Sequence, residues 1–152
     1  MTRPMTTAVH GVNRTDANGT MWRLRSLAAM GHDATRIARA LGTHPVYVHR
    51  ILHAHARTIP ARFRDDVIAV WDAWWDKTPP ADSPARRRAA ARARRLAESR
   101  DWPAAAGLDE DQLDQPGYRP WCRYRPATGT GTAPAIAPAT LRATRPAARD
   151  IA

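Results

Sequence analysis

The sequence predicts an all-α protein: a bundle of about four helices built on a helix-turn-helix, then a basic helix and a largely disordered C-terminal tail. Three observations predict it. Apolar residues recur three and four apart through much of residues 20–77, the pattern of helices with one inward stripe. Residues that start and stop helices stand in order at Asp33, Gly42 and Pro45. Ser83-Pro84 then opens a run of arginines among alanines, whose propensity favours helix.

Residues 1–19 are polar, with Pro4, Gly11 and Gly19, and read as a flexible arm. Arg3 and Arg14 are its candidates for a minor-groove contact. A first helix is expected from about Thr20 to Met30, with Met21, Leu24, Leu27 and Ala28 inward and Arg23 and Arg25 outward toward solvent or phosphate. Gly31 ends it. Asp33 is a good N-cap, because its carboxylate can accept from an exposed N–H of the first turn. Ile37, Ala38 and Leu41 make the next stripe, and Gly42 suits the left-handed C-terminal cap. Pro45 opens another helix where a missing N–H costs nothing, and Val48, Ile51 and Leu52 face inward. Two short helices joined by a tight glycine turn cross steeply to share a core. Ala38 is small enough to let them approach.

At about 100° per residue, the face opposite that inward set is centred on Val46, Arg50 and His53, flanked by Tyr47 and His49. It is rich in donors, and base edges in the major groove offer mainly acceptors. These residues are the candidate base contacts. Thr35, Arg36 and His44 are the candidate phosphate contacts, since helix N-termini and basic side chains fix register on the backbone. His44, His49, His53 and His55 do not make a metal site: His49 and His53 share a helical turn, but zinc needs further ligands, and no Glu follows His49 in an HExxH arrangement.

Thr58-Ile59-Pro60 reads as a connector. A fourth helix runs from near Ala61 to about Lys77, where Phe63, Val67, Val70, Trp71 and Trp74 cover the motif, and Trp71, Trp74 and Trp75 form a partly exposed end of the core. Thr78-Pro79-Pro80 ends the 20–77 domain, and 78–83 is a linker. The 84–100 helix carries Arg86, Arg87, Arg88, Arg92, Arg94, Arg95 and Arg100 over a thin apolar face of Ala89, Ala93, Leu96 and Ala97. It serves either as a second electrostatic contact or as a solvated helix; both stay open. Residues 101–125 read as an irregular segment. Its acidic Asp109-Glu110-Asp111 and Asp114 are expected either to fold back on the basic helix or to limit non-specific DNA binding. Beyond them, Tyr118, Trp121 and Tyr124 alternate with Arg119, Arg123 and Arg125. Residues 126–152 read as a disordered tail.

The chain has 152 residues, 13 of them Pro, and a formal net charge of +10. Lys77 is its lone lysine, so the base is almost all arginine. That balance fits a polyanionic partner, nucleic acid first. Cys122 stands alone, which rules out an internal disulfide and a Cys-Cys zinc motif and suits a reducing cytoplasm. No signal peptide or membrane-spanning run is visible. No phosphate loop, nucleophile elbow or other catalytic motif occurs, so neither an enzyme nor a cofactor is expected.

The stretch Ile37-Ala38-Arg39-Ala40-Leu41-Gly42-Thr43-His44, then Val48-His49-Arg50-Ile51 and Trp71-Asp72, resembles the small helix-turn-helix DNA-binding proteins of actinobacteria and their phages and prophages. Thr78-Pro79-Pro80 and the Arg/Ala-rich helix ending near Trp102-Pro103 add to the likeness, which covers roughly residues 20–115. Ala34, Thr43 and His44 depart from the usual Gln, Val or Ile, and Ser or Thr of such motifs. The resemblance implies a transcriptional regulator that binds double-stranded DNA by occupancy, with a homodimer on inverted half-sites as one arrangement such motifs use. A protein-interaction adaptor and the DNA-targeting subunit of a recombination or DNA-processing complex are the alternatives.

Overall fold

The computed structural model describes residues 13–120. The fold is mostly helical with one small sheet: β1 (Arg14–Asp16), α1 (Asn18–Ala29), α2 (Ala34–Leu41), α3 (Pro45–Leu52), β2 (Thr58–Pro60), α4 (Ala61–Trp74) and α5 (Pro84–Ser99), followed by a 3-10 turn at Ala105–Gly107.

Helix α1 is the axis, packing against α3, α4 and α5. Leu24 and Leu27 are fully buried. Polar Ser26 is buried with them and engaged on both sides: its Oγ donates to the Arg23 carbonyl at 2.7 Å and accepts from Trp71 Nε1 at 2.8 Å. A buried indole N–H needs such a partner, so Ser26 sets where α4 docks. Helix α5 reaches α1 through Ala90, Ala93 and Ala97, all buried. Small side chains bury little area each, but they let the helices approach closely.

The helix starts follow local chemistry. Asp33 accepts from the Arg36 N–H at 3.0 Å, and Ser83 caps α5 the same way from Arg86 at 3.2 Å. The helix ends share one device. In α1, α2, α3 and α5 the last turn closes by paired reverse bonds, such as Thr43 N–H to the Ala38 carbonyl (2.9 Å) with Gly42 N–H to the Arg39 carbonyl (3.3 Å). This closure needs one left-handed residue. It falls on Gly31 and Gly42, but also on Ala54 (φ 60°) and Asp101 (φ 56°), where a Cβ makes the conformation strained.

Several expectations are corrected. Residues 14–16 are not part of a flexible arm, nor is Thr58-Ile59-Pro60 a plain connector: they pair antiparallel, Thr15 opposite Ile59, and Ile59 points into the core. Arg14 does not reach outward. Its guanidinium bonds Thr58 through Oγ1 (3.0 Å) and the carbonyl (2.8 Å). The domain does not end at residue 77, because Ala97, Trp102, Ala105, Leu108 and Leu113 belong to the same core cluster as Leu24, Ile37 and Ile51. The acidic segment reaches α1. Asp114 grips Arg23 of α1 with bonds of 2.7 and 2.9 Å. The Tyr118 carbonyl takes the side-chain N–H groups of Asn18 (2.9 Å) and Trp22 (3.1 Å). The readings made for residues 1–12 and 121–152, including Arg3, Trp121, Cys122, Arg123, Tyr124, Arg125 and the tail, lie outside the described residues. No described helix is long and apolar enough to cross a membrane.

Candidate nucleic-acid interface

The α2–α3 pair and its three-residue turn form the candidate surface. Gly42 (φ 65°) turns the chain, and His44 caps α3: its Nδ1 accepts from the Val46 N–H at 3.2 Å. That bond leaves the Nε2 edge of His44, an exposed residue, as the outward donor. Pro45 sits in the first turn. Val48, Ile51 and Leu52 are buried, which fixes the rotation of α3 about its axis.

The opposite face is open. Val46 is 59% exposed, the one large apolar side chain so exposed among the described residues. His49 and Arg50 are exposed beside it. Thr35 is exposed on the first turn of α2.

Two predicted base contacts are placed differently. The Tyr47 ring packs edge-on against Phe63 of α4, centroids 5.0 Å apart, so its ring is committed to the fold. His53 is half-buried at the end of α3, with its ring 5.6 Å from that of Trp102 and 6.2 Å from that of His49. Burial first, then the charges of Arg100 and Arg25 and the neighbouring His49 and His55, hold His53 below the usual imidazole range. It borders a cleft of about 660 Å³ whose lining includes His55, Arg25, Arg100, Asp101 and Arg119.

Arg36 is a clamped cation rather than a free one. Its Nε donates to His32 Nδ1 at 3.2 Å, and its guanidinium lies 4.5 Å from the centroid of the Trp74 ring. His32 is itself stacked on Trp74, centroids 4.7 Å apart and planes 16° apart. Because Nδ1 accepts, Nε2 carries the proton and donates to the Lys77 carbonyl at 2.8 Å. Burial, the larger effect, and the cations Arg36 and Arg94 push the His32 pKa down, so the neutral tautomer is the working one. Sequence reasoning passed over His32 and read Trp74 as part of a partly exposed core, with a dimer contact or a dock for the next helix as the alternative. The one available signal was the four-residue spacing from His32 to Arg36, a helical-turn neighbour.

Arg23 and Arg25 are withdrawn as phosphate contacts. Arg23 is buried and paired with Asp114. Arg25 lies between Trp22 (4.7 Å) and Trp102 (5.1 Å), and its Nε donates to the Leu52 carbonyl at 2.8 Å. Both hold α1 to other elements. Among the described residues, no group of three or more His, Cys, Asp or Glu side chains is arranged to hold a metal ion. No model of a known protein family, no curated protein and no solved structure matches the chain.

Proposed function

We propose that the chain binds double-stranded DNA sequence-specifically and acts as a transcriptional regulator by occupancy, with α2, the Gly42 turn and α3 as its helix-turn-helix. One observation carries this reading. Helix α3 buries Val48, Ile51 and Leu52 and turns Val46, His49 and Arg50 outward, with the Arg50 side chain making no ion pair or hydrogen bond among the described residues. An unpaired arginine beside an exposed valine suits a base step where guanine offers O6 and N7 and thymine its methyl group. The likeness of Ile37–His44 and Val48–Ile51 to actinobacterial and phage helix-turn-helix proteins points the same way.

In this reading Val46, His49 and Arg50 read bases. Thr35, His44 and the clamped Arg36 hold phosphates. Tyr47 sets the tilt of α3 through Phe63, and His53 meets the edge of the groove. The chain itself carries out no catalysis.

The test is selection of bound species from random duplexes at two salt concentrations. The expected result is a recovered motif that is lost with Arg50→Ala, a change worth about 1–3 kcal/mol of base discrimination. Salt-sensitive binding with no motif would refute sequence readout. No binding at the lower salt would refute the DNA reading and favour a protein-interaction adaptor.

A further inference from the structure

The arginines of α5 divide into two groups by what they touch. One group is tied to the protein. Arg86 Nη1 bonds Asp82 (2.9 and 3.1 Å), Arg87 Nη1 donates to the Ala81 carbonyl (2.9 Å), and Arg94 Nη2 donates to the Met30 carbonyl (3.2 Å), across the left-handed Gly31. The other group is Arg88, Arg92 and Arg95. All three are exposed, and none of their side chains makes a hydrogen bond, ion pair or ring contact among the described residues. Their spacing of four and three puts them on one helical face. That face lies opposite the alanine seam that docks α5 on α1, turned to solvent.

The stripe also has a fixed relation to α3. Arg92 lines a cleft of about 260 Å³ together with Thr35 of α2 and His49 of α3, while Ala89, Ala93 and Leu96 make its α5 wall. Just past the C-terminus of α5, Arg100 lines the larger cleft shared with His53 and His55. The middle of α5 and its C-cap thus each share a cleft with residues of or just after the candidate reading helix.

Resting on the DNA reading above, we infer that Arg88, Arg92 and Arg95 form a second, sequence-blind contact to the phosphates of the same duplex that α3 reads. The chemistry suits a regular polyanion. Three guanidiniums on successive turns of a stiff helix present charge at fixed intervals, and a phosphodiester backbone is the repeating acceptor that matches them. The protein then holds DNA from two helices, with base discrimination confined to α3 and part of the affinity carried by α5.

The test uses the full chain and the duplex selected for it. Arg88→Gln, Arg92→Gln and Arg95→Gln are combined in one variant, since Gln keeps helix propensity, and circular dichroism checks its folding. Each neutralised phosphate adds about 0.9 to the salt slope on B-form DNA, so the slope of log K against log salt should become shallower by about 2.7. The selected motif should be unchanged. The paired variant Arg86→Gln with Arg87→Gln removes charge from the tied group, and its slope should stay near that of the unsubstituted protein.

An unchanged slope in the triple variant, with the motif intact, overturns this inference and leaves the DNA reading standing. An equal loss in the Arg86/Arg87 variant overturns it too, because general charge would then explain the effect. Loss of the motif in the triple variant overturns the sequence-blind role. No binding by the unsubstituted protein overturns both readings together.

Discussion

Replacing Asp114 with Asn tests how the C-terminal segment is held. In the native fold the Arg23 guanidinium is nearly sealed, with its side chain 5% exposed, and it takes both oxygens of Asp114, whose side chain is 56% exposed. Asp114→Asn keeps the shape and one carbonyl acceptor but removes the charge and one charge-assisted bond. Breaking a fully buried pair costs about 3–5 kcal/mol. Here water reaches the acidic end, which brings the expected loss down to about 2 kcal/mol, within the range for a bond to a charged group. In a chain of this size that is about 8 °C in Tm.

The pH profile gives a second readout of the same pair. The Arg23 bond is the main cause that holds the Asp114 carboxyl below its ordinary value. The unfolded chain therefore takes up this proton first as pH falls. The contribution is complete above the unfolded value of about 3.9 and is lost as pH drops from there through the folded value. His32 and His53, both lowered, remove stability in a separate window that opens below about 6.5. Urea denaturation at pH 7 and at steps down to pH 3 should show the native protein losing its advantage over Asp114→Asn only below about pH 4. A loss under about 0.5 kcal/mol at pH 7, typical of surface substitutions, or an advantage no smaller at pH 3 than at pH 7, would refute the pair as a clamp.

Four further outcomes follow from the geometry. Leu113→Ala deletes a fully buried side chain and should cost about 2–5 kcal/mol in urea unfolding; a change under about 0.5 kcal/mol would separate the 101–120 segment from the core. Gly42→Ala meets no atom within 4 Å, so only its left-handed φ opposes it, and a loss of about 1–2 kcal/mol is expected. The reverse change at the same kind of helix end, Ala54→Gly (φ 60°), should raise stability by about 0.5–1 kcal/mol, and a calorimetric Tm that moves the wrong way in either variant refutes the strain argument. DNA affinity should rise as pH falls through the lowered pKa of His53, since its protonation adds positive charge at the groove edge. In an anisotropy titration, His53→Gln should flatten part of that rise, and an unchanged profile would remove His53 from the interface.

What was legible in the sequence was local. Asp33, Gly42, His44-Pro45 and Ser83-Pro84 act on partners within about five residues, so caps and turns could be read from the chain alone. The inward set Val48, Ile51 and Leu52 followed from helical period, and with it the outward position of Val46 and Arg50. The roles of the arginines were not legible. Arg14, Arg23, Arg25, Arg36, Arg88 and Arg92 look alike in sequence, yet the first four meet partners from distant elements and the last two meet none among the described residues.

Arg23 meets Asp114 across 91 positions, and Arg14 meets Thr58 across 44. No periodicity reports such a contact. The strand pair β1–β2 was hidden for the same reason, since three-residue strands carry no alternation to read. The segment 101–120 has a single buried side chain every few residues, which looks like loop until the groove it fills is known. Local order came from capping chemistry and helical period. The choice of which cations serve the fold and which face outward came from packing, because burial turns an arginine into a strut and leaves it a contact only where no partner reaches it.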